Sequence, residues 1–290
     1  MSAVHHRYAT VDRQQIFYRE AGPADAPAVV LLHGFPTSSF MFRDLIPRLA
    51  GRYRVIAPDF LGFGLSDAPP VEAFDYTFDA LAELTAALLA RLGVARYAIY
   101  VQDYGAPVGW RLALRHPAAV TAVISQSGNG YDEGFVEDFW RDIRAYQEKP
   151  TPELEATMRA ALTLDAIRWQ YTAGVPDESL VSPDTWHHDH ALVSRPGNAE
   201  VQLTLFRDYA TNPPLYPALH AWLRERQVPV LAVWGRHDPI FGPDGARAFA
   251  RDTGNAEVHL LDGGHFLLES AGEEVAALIR TFLGRHAPHF

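Results

Sequence analysis

Val101-Gln102-Asp103-Tyr104-Gly105 is the stretch on which the reading of this chain turns. It closes the apolar, β-branched run Tyr97-Ala98-Ile99-Tyr100-Val101 and precedes Ala106 to Arg115, a helix candidate that stops before Pro117. A sharp turn between a strand and a helix exposes one side chain and needs small neighbours for room. Here the exposed position falls to Asp103.

Working outward, similar runs end in polar or glycine residues on either side. Ala28-Val29-Val30-Leu31-Leu32 leads into His33-Gly34, Tyr53-Arg54-Val55-Ile56-Ala57 into Pro58-Asp59, and Val120-Thr121-Ala122-Val123-Ile124 into Ser125. Short, nearly continuous apolar runs of this kind suit parallel strands covered on both faces. With the helical pattern from Asp79 to Leu92 between them, they predict an α/β fold with right-handed crossovers. The rhythm breaks after Ser127. From Tyr131 to Leu219 no strand is expected, but Phe135–Gln147 and Pro152–Leu162 read as helices. Strands resume at Pro229-Val230-Leu231-Ala232-Val233-Trp234 and Glu257-Val258-His259-Leu260-Leu261, and Ala271–Leu283 closes the chain as a helix. The expectation is one α/β unit, residues 1–130 and 220–290, interrupted by a helical insertion at 131–219. Open parallel sheets carry their sites beyond the C-terminal strand ends, so the insertion would cover the site as a cap.

Two further residues sit just past strand ends. Asp238 lies in Gly235-Arg236-His237-Asp238-Pro239, and His265 in Asp262-Gly263-Gly264-His265-Phe266. Nucleophile, acid and histidine in that order make a catalytic triad candidate of Asp103, Asp238 and His265. Gly-x-Ser-x-Gly occurs nowhere in the chain, so the elbow carries a carboxylate, not a serine. A carboxylate with an ordinary pKa of ~3.9 is ionised at pH 7 and needs no base to attack. Attack on an acyl carbon would give an unstable anhydride, whereas attack on an sp³ carbon gives an ester that a histidine-activated water can hydrolyse.

Composition trims the alternatives. The 290 residues carry a formal charge of −10, with 48% hydrophobic and 21% charged residues, as in an ordinary globular protein. There is no cysteine, and Lys149 is the only lysine, set in the proline-broken Glu148-Lys149-Pro150-Thr151-Pro152. Thiol chemistry is thereby excluded, and amine chemistry would rest on a surface turn. The acidic balance speaks against nucleic acid as a partner. No signal peptide or membrane span is evident, so a cytoplasmic protein is expected, acting on a small apolar substrate and water. No cofactor is expected, and a homodimer is left open.

His33-Gly34-Phe35-Pro36, the segment Pro58-Asp59-Phe60-Leu61-Gly62-Phe63-Gly64-Leu65-Ser66-Asp67, the elbow through Gly109, Trp234-Gly235-x-x-Asp238 and Gly264-His265-Phe266 together resemble the α/β-hydrolase superfamily. The resemblance runs from Gln14 to Leu283 and is nearest to the aspartate-nucleophile branch, the epoxide hydrolases and haloalkane dehalogenases. It implies a mostly parallel central sheet with helices on both faces and a helical cap. It also implies an oxyanion hole at the backbone N–H groups of Phe35 and Tyr104. Phe35, Pro36, Tyr104 and Trp140 would bind substrate.

The leaving group separates the two activities. An opened epoxide departs as an alkoxide and needs a proton, which a tyrosine can supply, whereas a halide needs only hydrogen-bond donors such as indole N–H groups. Dehalogenases carry Trp directly after the nucleophile, where this chain has Tyr104. Epoxide hydrolases use paired cap tyrosines. Tyr209 is the match to one, Tyr146 stands as the second, and Tyr131 and Tyr171 compete with it. Epoxide hydrolysis to a vicinal diol is therefore expected first and dehalogenation second, with a non-catalytic hydrolase-like binding protein as a third possibility. Fluoroacetate dehalogenases share His-Gly-Phe-Pro but place an Arg after the nucleophile; here Arg111 and Arg115 lie further on and read as solvated. His187-His188-Asp189-His190 offers two histidines on one helix face without a clear third ligand, so no metal site is expected. Asp59 and Asp67 read as turn or cap residues, and His5-His6 as a disordered start.

Overall fold

The computed structural model describes residues 3–286. It opens with β1 (His5–Val11), β2 (Gln14–Ala21), β3 (Ala28–Leu32), α1 (Leu45–Leu49), β4 (Arg54–Pro58), α2 (Phe78–Arg91), β5 (Tyr97–Val101), α3 (Gly105–Arg115) and β6 (Val120–Ser125). Helices α4 (Glu137–Glu148), α5 (Pro152–Ala160), α6 (Leu164–Thr172), α7 (Asp184–Val193), α8 (Asn198–Asp208) and α9 (Tyr216–Arg226) follow. The chain then returns through β7 (Val230–Gly235), α10 (Pro243–Ala248), β8 (Ala256–Leu261) and α11 (Leu267–His286).

The strands form one eight-stranded sheet in the order β1-β2-β4-β3-β5-β6-β7-β8. From β4 to β8 all neighbours are parallel, while β1–β2 and β2–β4 are antiparallel. Every residue of β3, β5 and β7 is buried, as strands covered on both faces require. Helices α1 and α11 pack together, as do α2, α3 and α9. The expected strands fall on the observed ones to within a residue. What the apolar runs did not disclose is the β1–β2 hairpin. His5 and His6 lie within β1, not in a disordered start, and Asp12 and Arg13 make the turn with φ of 46° and 70°. Only alternate residues of that strand's end are buried, so it carries no continuous apolar run.

Local sequence sets the helix ends. Thr77 accepts from the Ala80 N–H at 3.1 Å to start α2, and Gly93 takes φ +69° just past its end. In the insertion, Thr151 with Pro152 begins α5 and Thr163 begins α6 in the same way. Between β6 and β7 the described chain adds helices but no strand, and α9 starts at Tyr216, within the insertion as read from sequence. No helix among the described residues is long and apolar enough to cross a membrane.

Candidate active site

Asp103 sits at φ +48° between β5 and α3, a conformation most side chains avoid. Glycines make room for the turn. A Cβ at Gly105 would lie 2.1 Å from the Leu32 carbonyl oxygen, and one at Gly109 would lie 2.5 Å from Val101 Cγ1. The turn therefore projects Asp103 beyond the C-terminal end of the sheet. The backbone N–H groups of Phe35 and Tyr104 both donate to its Oδ1, each at 2.7 Å. They come from the loops after β3 and β5, so two neighbouring strand ends fix one carboxylate oxygen and leave Oδ2 to the cavity.

The loops after β7 and β8 bring up the other two candidates. Asp238 Oδ1 accepts from the N–H groups of Ile240 at 2.8 Å and Phe241 at 3.1 Å, while its Oδ2 meets His265 Nδ1 at 3.0 Å. His265 Nε2 is 3.9 Å from Asp103 Oδ2. Burial raises the pKa of Asp103, opposed by the His265 charge and the two N–H donors. Burial alone would lower His265, but the charge and hydrogen bond of Asp238, helped by Asp103, outweigh it and raise the pKa. The ring is thus held in the tautomer that leaves Nε2 an unprotonated acceptor, with two carboxylates ready to stabilise a proton there.

Over Asp103 lies a cavity of about 170 Å³, walled by Phe35, Tyr104, Trp140, Phe206, Tyr209 and Ile240, among others. Tyr209 comes from the turn after α8. Its hydroxyl is buried without a hydrogen-bond partner, as are those of Tyr104 and Tyr216. Burial, with Tyr216, Asp103 and Tyr104 nearby, holds the Tyr209 phenol far above its ordinary pKa. Tyr216 is close enough to Tyr209 to affect it, yet the pair makes no well-aligned hydrogen bond. The indole N–H of Trp140 is committed, donating to the Ile240 carbonyl at 2.9 Å.

Other residues read from the sequence lie elsewhere. Tyr146 is buried in α4 but is not in the cavity wall; the charges near its hydroxyl are Glu155, Arg207 and Arg159, on α5 and α8. Tyr131 donates to Asp252 at 2.9 Å, and Tyr171 to Asp189 at 2.5 Å. Pro36 borders a crevice with Gly62, Phe63, Leu192 and Val193. Arg111 is not solvated: it is buried, donating to Asp79, Thr211 and Asn212 and so joining α3 to the end of the insertion. Arg115 also pairs with Asp79. Asp59 serves as a turn residue, accepting from the N–H groups of Ser39 and Leu65, both at 2.7 Å. His188 stacks on Phe40, and no group of three candidate metal ligands gathers among the described residues.

Asp142 and Gln102 are among the residues at this site given no role in the sequence reading. Asp142 reaches the cavity with Phe139 and Ile143, a helix-face spacing that α4 makes readable in retrospect. Gln102 Nε2 lies 2.8 Å from His265 Nε2, its signal being only its place before the elbow.

The α/β-hydrolase fold family matches residues 27–271. An uncharacterized hydrolase of Saccharomyces cerevisiae is 42% identical over 268 residues, covering 91% of this chain and 92% of that protein. A haloalkane dehalogenase of Mycobacterium marinum is 32% identical over 274 residues, covering 91% and 87%. Among solved structures, the epoxide hydrolase CorEH superposes with a TM-score of 0.79 at 22% identity, covering 98% of this chain and 99% of that one, which is a likeness of fold.

Proposed function

Since the chain belongs to the α/β-hydrolase family and has a haloalkane dehalogenase among its relatives, we propose that it hydrolyses an epoxide to a vicinal diol through an ester of Asp103. Asp103 Oδ2 attacks a ring carbon, the C–O bond breaks, and the Tyr209 phenol protonates the departing oxygen. His265 Nε2 then takes a proton from a water whose oxygen bonds to Asp103 Cγ. Negative charge moves onto Oδ1, already between the N–H groups of Phe35 and Tyr104, where each such donor is worth ~10²–10³ in rate. Collapse breaks the bond to the alkyl oxygen and restores the carboxylate. Of the water's two protons, one completes the second hydroxyl of the diol and the other restores the phenol.

The observation that carries this reading is the buried, unpartnered Tyr209 hydroxyl in the wall of the cavity over Asp103, in contrast to the Trp140 N–H, which a carbonyl already holds. A protonated phenol suits an alkoxide leaving group. The apolar walls suit a small apolar substrate. Removal of halide from a haloalkane is the second reading, favoured by the identity to the Mycobacterium marinum dehalogenase. Incubation with styrene oxide and, separately, 1-bromobutane tests the choice, with diol and bromide measured. Diol formation is expected. Bromide release without diol would overturn epoxide hydrolysis in favour of the second reading.

A further inference from the structure

Gln102 is fully buried, and its main chain is tied on both sides: its N–H donates to Leu32 at 3.1 Å and its carbonyl accepts from Gly105 at 2.7 Å. Its side chain meets His265 Nε2 at 2.8 Å. Because His265 Nδ1 faces Asp238 Oδ2 at 3.0 Å and donates to it, Nε2 carries the free lone pair. Only the nitrogen end of the amide can bond to that lone pair, so the N–H donates. The other end, Oε1, is sealed from solvent without a partner. Folding does not favour an acceptor left in that condition, and a buried polar atom beside reacting groups calls for a ligand. Gly34 keeps this corner open, for a Cβ there would lie 2.3 Å from Oε1 and 2.3 Å from Asp103 Cβ.

We propose that Gln102 positions the hydrolytic water: its amide caps His265 until the ester has formed, then yields Nε2 to a water whose second hydrogen Oε1 accepts. The inference rests on the reading above, in which an Asp103 ester is hydrolysed with His265 as base. One lone pair serves one donor, so cap and water alternate on Nε2. The water is then held by two groups at once, its oxygen turned to Asp103 Cγ. It gives one proton to Nε2 as its oxygen bonds to Cγ, and the electron pair of the ester carbonyl moves onto Oδ1. Capping also has a pH signature. An N–H donated to Nε2 favours the unprotonated ring, opposing Asp238 and Asp103, the two charged groups that act on it. In the ester, where Asp103 is uncharged, the water held by Oε1 donates to Nε2 in its turn, so removing Gln102 loosens that donor, makes His265 hold its proton more tightly and moves the acid limb of ester hydrolysis to higher pH.

Gln102→Met keeps the length and removes both donor and acceptor; Gln102→Glu keeps an acceptor. Rapid quenching, with the ester on Asp103 counted by mass, separates the two steps. In Gln102→Met, ester formation should stay within about threefold while hydrolysis slows by about 10- to 100-fold, so that ester accumulates to nearly one per site. Its acid limb should move up. Gln102→Glu should recover most of the hydrolysis rate above an acid limb that has also moved up. Equal slowing of both steps in Gln102→Met, or an unmoved acid limb, would overturn the proposal. Should Gln102→Met fail to fold, Gln102→Leu, which also removes donor and acceptor, is judged by the same two criteria. His265→Phe provides the separate control: absence of any trapped ester there refutes the covalent reading itself, whereas ester in His265→Phe with normal hydrolysis in Gln102→Met refutes only the role of Gln102.

Discussion

The two halves of the cavity differ in how their polar atoms are held. On the sheet side, Asp103 Oδ1 and Asp238 Oδ1 each accept two backbone N–H groups, and Asp238 Oδ2 fixes the ring of His265. On the side of the insertion, the hydroxyls of Tyr209 and Tyr216 are buried without a well-aligned hydrogen bond. An unmade buried hydrogen bond costs ~1–3 kcal/mol, so the second arrangement is one that a bound molecule relieves. On the sheet side the Oδ1 atoms of both aspartates and the ring of His265 are fixed before substrate arrives, with Gln102 Oε1 and the Tyr104 hydroxyl left free; the insertion side is completed by substrate. Damage to the two donors that hold Asp103 Oδ1 should therefore slow both ester formation and ester hydrolysis, and damage to the insertion side should slow one step or exclude one class of substrate.

Gly34→Ala attacks the sheet side and should have the largest effect. Its Cβ would lie 2.3 Å from Asp103 Cβ and 2.7 Å from Asp103 Oδ1, and Asp103 cannot retreat without leaving the donors of Phe35 and Tyr104. Displacing one such donor predicts a fall in kcat of about 10²–10³-fold. A folded variant, by its melting curve, with more than a tenth of the normal kcat would show that the sheet side is less rigid than the comparison holds. Tyr209→Phe attacks the other side. Loss of a general acid predicts about 10²-fold slower formation of the ester from an epoxide, read by rapid quenching, with hydrolysis of the ester little changed. If both steps slowed together, Tyr209 would belong functionally with the sheet side.

The same division explains what the sequence disclosed. Asp103, Asp238 and His265 stand at strand ends, where β-branched runs stop and glycines follow, so their position could be read from local pattern alone. Asp103 further depends on Gly105 and Gly109, both within six residues. Residues of the insertion have no such frame. Tyr146 lies on the same face of α4 as Phe139 and Ile143, but at about 1.5 Å per residue it stands roughly 10 Å along the axis from Phe139, past the cavity's end. Helical spacing gives the face and not the depth. Arg111 looked solvated because its partners Thr211 and Asn212 are a hundred residues away in the chain. The β1–β2 hairpin escaped for a different reason: an edge with alternate burial leaves little for a search based on apolar runs.

The weakest expected effect concerns charge at the cavity. Residues 131–219 hold fifteen acidic against seven basic side chains, so the insertion accounts for eight of the chain's ten net negative charges. Among the described residues only two charged ones, Asp103 and Asp142, line the cavity. On α4 the neighbouring cations are spoken for, Arg141 by Asp138 at 2.5 Å and Arg144 by Glu137 at 2.7 Å, and Asp142 has no ion pair among the described residues. An epoxide bearing a carboxylate should therefore be taken less readily than a neutral one with the same carbon skeleton. Asp142 is exposed to solvent, so its share of that discrimination is small: exposed charges interact by ~0.2–1 kcal/mol, or up to about fivefold in kcat/KM. Asp142→Asn should narrow the ratio of kcat/KM for the two substrates by that amount at low salt. In wild type the ratio should shrink as ionic strength rises, since the screening length falls from about 10 Å at 0.1 M to 3 Å at 1 M. A ratio that neither Asp142→Asn nor salt alters would mean that the buried Asp103, on the sheet side, sets the preference by itself.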